Sequence, residues 1–343
     1  MVSGGYFQTK PITGLQERNL PIDMKTDAEI QLIFDKIRRA QNDGVYAPHK
    51  PLLVLLALAR IQQGLPRQVP FSELDAPLKL LLAEFGPSSS AKSRHYPFWH
   101  LSTDGQGALW QIEGPENFIN RAPKDTPSLT ELRNPLVKAG FSVEIDSALR
   151  RKPGLLESIA SRVLNSYFPE TLHADIASAV GLNLNQTFDI HTEVKEDLAV
   201  NSSTRRRRDP TFRDRVLRAY EYRCCVCGFD LRIGTVSAGL EAAHIQWHTV
   251  GGPDIEPNGL SLCALHHKLF DLGAFTVEPS EHRVVFSQHA IAGNRSMEGE
   301  LRHHGQKMFT AQESAMHPGI VFLDWNQKNV FKKPGRTLAS IHE

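Results

Sequence analysis

Cysteine is scarce in this 343-residue chain: there are four, Cys224, Cys225, Cys227 and Cys263, and all fall within forty residues. Such usage argues against a disulfide-braced secreted fold, whereas a tight thiol cluster in a reducing compartment reads as metal ligation. Long apolar runs are missing too. The longest, Leu52 to Ala59, ends at Arg60, far short of the roughly 20 residues that span a bilayer. The N-terminal MVSGGYFQTKPITG has no basic stretch followed by an apolar one, so no secretory leader is expected and a cytoplasmic location is. Nor is charge of one sign in excess. The formal net charge of +1 excludes a uniformly basic nucleic-acid coat protein and leaves room for a local basic patch.

What is present is the composition of a folded globular protein, 41% hydrophobic and 22% charged, in a chain long enough for two domains with separate cores. Ile30, Ile33 and Ile37 recur at helical spacing and predict an amphipathic helix over 27–41. A broadly apolar, central helix is expected from Pro51 to Gly64, and a third from Pro77 to Glu84, stopped by Gly86 and Pro87. HYPFWHLSTDGQGALWQI reads as a β-hairpin of two aromatic-rich strands about a glycine-containing turn. Further helices are expected over 128–138, with Pro135 as a kink, over 153–167, and over 169–180 with Gly181 as its C-cap. The polar stretch IHTEVKEDLAVNSSTRRRRDP lacks apolar periodicity and reads as a linker. The expected organisation is an extension over 1–26, a helix-rich domain over 27–189, a basic linker over 190–209 and a second domain over 210–343. Residues 1–190 balance 20 Lys+Arg with 20 Asp+Glu, whereas 205–223 hold eight Arg against two Asp and one Glu. Arg205, Arg206, Arg207 and Arg208 are therefore candidates for DNA-backbone contact, with a solvated charge run as the alternative.

Chemistry concentrates in the second domain. Cys224 and Cys227 form a Cys-x-x-Cys pair, Cys263 and His266 a Cys-x-x-His pair, and four such ligands satisfy tetrahedral zinc with no position left open, so this site is expected to be structural. Cys225 is left over and is expected to pack as a small hydrophobe. Between and beyond the pairs lie His244 in the strand-like LEAAHI, Asn258 in a turn, and His267 at the start of the helical LHHKLFD. This His-Asn-His order on strand, loop and helix, with NGL and LCALHHKLFD, resembles the HNH nucleases of the ββα-metal superfamily, particularly the zinc-stapled branch of McrA-like restriction enzymes. The likeness covers about 213–277, and FLDWNQKNVF is similar to the tail of that branch.

Phosphodiester hydrolysis needs a base for water and a cation for the scissile phosphate. His244 suits the base, because a neutral imidazole titrates near working pH. Asn258 is expected to brace the loop and orient that imidazole. His267 and Asp271, at i and i+4, point from one helical face and suit Mg²⁺, Mn²⁺ or a similar divalent ion. One departure from the pattern is Ala243, where many relatives carry a metal ligand; either His267 and Asp271 suffice, or Glu241 takes part.

In the first domain, YAPHKPLLVLLALARI, SRHYPFWHL and GALWQI resemble the sulfur-binding domain of phosphorothioate-dependent restriction endonucleases over about 27–180. Sulfur is larger and more polarisable than oxygen and a poorer hydrogen-bond acceptor, so an apolar cradle at Tyr96 and Pro97 would favour it. His49 and Lys50 at a helix N-terminus suit phosphate. Arg121 matches a basic residue of that family, and Arg94 is a neighbour of the same charge. Packing inside a hairpin is the alternative for these rings, whereas Pro97, which forfeits a ladder hydrogen bond, belongs at an edge or exposed bulge.

Together these features read as an α+β protein: a helix-rich sulfur-binding-type domain followed by a zinc-stapled ββα-metal HNH nuclease domain, acting as a restriction endonuclease on double-stranded phosphorothioate-modified DNA. The resemblance implies products with 5′-phosphate and 3′-hydroxyl ends. Cutting both strands with one HNH site per chain calls for a homodimer. The rival readings are an HNH nuclease directed to 5-methylcytosine or another modified base, and a DNA-binding protein whose HNH remnant is inactive.

Overall fold

The computed structural model describes residues 25–38, 41–42, 45–87, 90–122, 125–184, 209–291 and 299–338. Residues 1–24 of the expected extension, residues 190–208 of the expected linker and, with them, the arginine run Arg205 to Arg208 lie outside them. In the first half a capping box of Thr26 and Glu29 starts helix Asp27–Asp35, which buries Ile30, Ile33 and Phe34. Helix His49–Gln62 follows, with Leu52 through Leu55 entirely buried. It packs on Pro153–Tyr167, whose own buried face runs from Leu155 to Tyr167. Helix Phe71–Phe85 begins six residues before the expected Pro77, because Phe71 and Leu74 extend its apolar face. Pro77 lies inside it and leaves one carbonyl without its helical partner. The helix expected over 169–180 is a 3₁₀ turn, Glu170–Leu172, and then helix His173–Val180, closed by Gly181 at φ 76°.

Two expectations fail in the middle of this domain. The aromatic segment is not a hairpin: Tyr96–His100 is a short α-helix with Pro97 in its first turn, where a fixed φ and a missing N–H are harmless. Pro97 is accordingly buried rather than exposed at a strand edge. Trp110–Glu113 is a strand as expected, but its antiparallel partner is Lys138–Phe141. That strand replaces the end of the helix expected over 128–138, which stops at Leu132, ahead of Pro135. Val69–Pro70 pairs with the other edge of Lys138–Phe141 to complete a three-stranded antiparallel sheet.

The second half is built on helix Phe212–Ala219, the antiparallel strands Leu240–His244 and Gly259–Cys263, and helix Ala264–Asp271. This is the ββα unit that the motif order implied. A further strand pair, Phe275–Val277 with Val284–Phe286, and helix Ile320–Asn329 cover it. The fold is α+β, with one apolar core over 30–182 and another over 212–323. Trp247 and Val330 of the second half are buried in the first core. The Trp247 ring meets Tyr46 and Trp325 edge-on, each at a centroid distance of 5.9 Å. Asn329 accepts the Tyr46 backbone N–H at 2.6 Å, and Lys332 donates to the Gly86 carbonyl at 2.7 Å. Among the described residues no helix is long and apolar enough to cross a membrane.

Trp247, 4% exposed, is the second-half tryptophan buried in the first core. Trp247→Ala is expected to destabilise the protein by about 3 kcal/mol and to separate its calorimetric unfolding into two transitions; an unchanged single transition would show that the ring does not couple the cores.

Candidate active site

His244 ends the strand Leu240–His244 opposite Gly259. A Cβ at Gly259 would stand 2.4 Å from Val216, so glycine is what lets helix Phe212–Ala219 lie against the strand end. Phe212 then stacks on the His244 ring at 4.2 Å, with 18° between the planes. His244 Nε2 lies 2.7 Å from Asp254 Oδ1, and Asp254 Oδ2 accepts the Asp209 backbone N–H at 2.8 Å. Burial alone would raise the Asp254 pKa, but the Asp209 N–H and the adjacent His244 outweigh it and hold the carboxyl below the ordinary aspartate value.

Asn258 is fully buried. Its side-chain oxygen accepts the Gln246 N–H at 2.8 Å, and its amide donates to the carbonyls of Gln246 at 3.0 Å and Pro253 at 2.9 Å. It thus pins the two ends of the loop that carries Asp254. Loop bracing is what was expected of Asn258, but the side chain placed on the imidazole is Asp254, which sequence reasoning missed. A lone aspartate in GGPDIEPN has no spacing relation to His244 that would single it out.

On the neighbouring helix, His267 sits between two acids: Nδ1 faces the Glu241 carboxylate and Nε2 is 3.3 Å from Asp271 Oδ2. Burial would lower its pKa, yet Asp271 and Glu241 together push it up to about 10, so the ring carries a proton at neutral pH. Asp271 is itself buried and accepts from Trp247 Nε1 at 3.1 Å and from the Thr171 hydroxyl. Ala243 is fully buried and offers nothing to this group, whereas Glu241 does. Glu241, His244, Asp254, His267 and Asp271 line one cavity of about 590 Å³, and Pro169 to Thr171 of the first half form part of its wall.

Behind this cleft, Cys224, Cys227, Cys263 and His266 bring their ligand atoms within 4.8 Å of one another. His266 Nδ1 lies 3.1 Å from the Cys263 sulfur and 3.6 Å from that of Cys224, spacings suited to edges of a small coordination tetrahedron. The cluster can hold a metal ion. Glu300, another residue the spacing did not reveal, stands 3.0 Å from His266 Nε2 and would orient the ring from behind. Cys225 is fully buried in the second core, as expected of a leftover thiol.

In the first domain, helix His49–Gln62, which begins with His49 and Lys50, packs on helix Tyr96–His100, which begins with Tyr96 and Pro97. Tyr96 remains 48% exposed, with His95 and His100 edge-on to its two sides. Burial lowers the His49 pKa, and its Nε2 is bonded to the Ser90 carbonyl at 2.8 Å, so His49 is a neutral brace rather than a phosphate cation. The basic candidates all have acidic partners: Lys50 with buried Asp104 at 2.6 Å, Arg121 with Glu131 at 2.6 Å, and Arg94 with Asp75. Arg121 also lies over Phe118, which packs on Trp99, and this joins it to the Tyr96 helix.

The ββα unit, the His244–Asp254 pair and the acid-flanked His267 make up an HNH-type centre, attached to a helix-rich domain with an exposed aromatic and paired basic groups. Residues 28–185 match the family described as ScoMcrA-like, DNA sulfur-binding domain, and residues 224–278 match the HNH endonuclease family. The chain therefore joins a DNA sulfur-binding domain of the ScoMcrA-like family to an HNH endonuclease domain, and is a DNA endonuclease. Solved structures similar to it include the sulfur-binding domain of ScoMcrA complexed with phosphorothioated DNA (24% identity over 44% of this chain and 94% of that one, TM-score 0.38). The sulfur-binding domain of SprMcrA complexed with phosphorothioated DNA is similar too (18% identity, 46% and 95%, TM-score 0.37). A third is the type IV phosphorothioation-dependent restriction endonuclease ScoMcrA (23% identity, 44% and 32%, TM-score 0.36). No curated protein sequence matches the chain.

Asp254→Asn keeps an acceptor for the Asp209 N–H while removing the charge beside His244. Cleavage under single-turnover conditions is expected to fall by about tenfold to a hundredfold, with thermal stability and DNA affinity little changed; full activity would show that the carboxylate does not serve the base.

Proposed function

We propose that this protein is a restriction endonuclease that reads phosphorothioate-modified duplex DNA with residues 27–189 and hydrolyses nearby phosphodiesters with residues 210–343. The observation that carries the reading is the pairing, in one chain, of the sulfur-binding family match with a cleft in which His244–Asp254 and Glu241–His267–Asp271 face the same space. The exposed Tyr96 ring above buried Pro97 suits the large, weakly hydrated sulfur, for which losing water is less costly than for oxygen. Lys50 and Arg121 would supply charge, exchanging part of their interaction with Asp104 and Glu131 for DNA phosphate, which makes binding salt-dependent. Arg205 to Arg208 are assigned to the DNA backbone on sequence grounds. Arg215, engaged by Asp209 and Glu256 at 2.6 and 2.7 Å, braces the domain instead.

In the cleft, His244 accepts the proton of the attacking water while Asp254 holds its ring and stabilises the imidazolium that forms. His267 and Asp271, with Glu241, would hold a divalent ion such as Mg²⁺ or Mn²⁺, which supplies Lewis-acid stabilisation of the phosphate and leaving oxygen. The donor set fits: two carboxylates already gather positive charge at His267, where a proton now resides. Participation of Glu241 answers the Ala243 departure and favours an active enzyme over an inactive DNA-binding remnant. Cys224, Cys227, Cys263 and His266 suit structural Zn²⁺, since four protein donors leave no open position. Two strand cuts call for two such centres, hence a homodimer, working in the cytoplasm where modified DNA is met.

The deciding comparison is Mn²⁺- or Mg²⁺-dependent cleavage of one duplex sequence with and without backbone phosphorothioate. Only the sulfur-bearing duplex is expected to be cut at physiological salt, and His244→Ala should bind it normally while cutting at least about a hundredfold more slowly. Equal handling of both duplexes, with preference for 5-methylcytosine, would transfer the function to a modified-base nuclease. Metal analysis is expected to give one zinc per chain, and Cys263→Ser should lower the melting temperature of the nuclease core. Folded, active protein without zinc would remove that assignment.

A further inference from the structure

Asp271 lies at the seam between the halves, and one of its hydrogen bonds comes from the other domain. We propose that Thr171, carried by the sulfur-binding domain, is a positioning residue of the nuclease centre: its hydroxyl sets the Asp271 carboxylate in the orientation in which Asp271 and His267 take the divalent cation. The inference rests on the assignment of Asp271 and His267 as ligands.

The geometry is directional. Asp271 is only 4% exposed, so its orientation is decided by its few polar neighbours rather than by water. Trp247 Nε1 holds Oδ1 at 3.1 Å, while Oδ2 receives the Thr171 hydroxyl and faces His267 Nε2 at 3.3 Å. Trp247 and the imidazole belong to the nuclease half, so Thr171 is the contribution from outside it. Thr171 occupies the 3₁₀ turn Glu170–Leu172, which buried Phe168 and Leu172 anchor in the first core. The same turn grips the metal-site helix a second time. Lys268, next to His267, donates to the Thr171 carbonyl and pairs with Asp175. A rigid element of the reader is thus locked onto the helix that carries both candidate ligands, and partners of a ligating carboxylate of this kind typically change metal affinity by about 10- to 100-fold. The nuclease centre is therefore complete only when the sulfur-binding domain is docked, which ties chemistry to the domain that reads the modification.

The test uses the full chain without DNA and follows Mn²⁺ binding by calorimetry or paramagnetic resonance. Thr171→Val, which keeps the shape and removes the hydroxyl, is expected to weaken Mn²⁺ binding by about tenfold or more, with Thr171→Ser restoring it and thermal unfolding little altered. Thr171→Ala is measured in parallel, in case the valine variant folds poorly. Wild-type Mn²⁺ affinity in either hydroxyl-free variant would overturn the proposal, as would equal losses in the serine and valine variants, which would mark a packing role. His267→Ala separates the two layers of inference. If it loses Mn²⁺ while the valine variant does not, Thr171 alone is misassigned; if it binds Mn²⁺ normally, the ligand assignment fails and the Thr171 role fails with it.

Discussion

A carboxylate shut away from water must be met by donors or by a cation, and Asp271 imposes that requirement at the seam of this molecule. Its two oxygens draw together Trp247, Thr171 and His267, three groups from different parts of the chain. Trp247 must enter the first core to reach it, so the bond that satisfies Asp271 also joins the two domains. His267, caught between Asp271 and Glu241, is held as an imidazolium with its pKa pushed up to about 10. The site is thus preorganised for positive charge. In a nuclease centre that property is what holds a divalent ion beside a polyanionic substrate.

The other half of the chemistry is kept electrostatically separate. His244 pairs with Asp254 and stacks on Phe212, while His267 faces its own two acids. Two histidines in one cleft therefore have different environments, one beside a single acid and one between two, as the proposed division into base and metal ligand requires. The division depends on Asn258, whose three hydrogen bonds bring the Asp254 loop back to the strand end, and on Gly259, whose missing side chain admits Phe212 and Val216. Both determine where His244 meets Asp254 and Phe212.

The reader surface follows a different rule. Its candidate cations Lys50, Arg94 and Arg121 are already paired with acids, and Asp104, the partner of Lys50, is completely buried. Charge neutralised in this way limits the gain from ordinary DNA, because each phosphate contact must compete with an internal partner. In the proposed reading, discrimination would fall to a group that an ordinary phosphate rewards poorly, the exposed Tyr96 ring next to His95 and His100. Weak general attraction combined with a specific apolar contact suits a protein that must ignore most of the DNA it meets.

Sequence by itself determined the elements whose information is local. Apolar spacing marked the helices over 49–62 and 153–167, and ligand spacing marked the Cys224, Cys227, Cys263 and His266 cluster. The His-Asn-His order marked the ββα unit, because strand, loop and helix there are contiguous. It misjudged 96–100, where aromatic residues that suit a strand lie behind a proline that suits a helix start, and burial of Pro97, Phe98 and Trp99 settled the contest. It also stopped short of Asp254, Glu300 and Thr171, each supplied from a loop or turn with no periodicity of its own. Such residues become functional only by meeting a partner, ten residues away for Asp254, 34 for Glu300 and 100 for Thr171. That meeting is decided by how helices pack and cores join, since a hydrogen bond to a buried charge requires a distance and a direction that residue type and spacing do not encode.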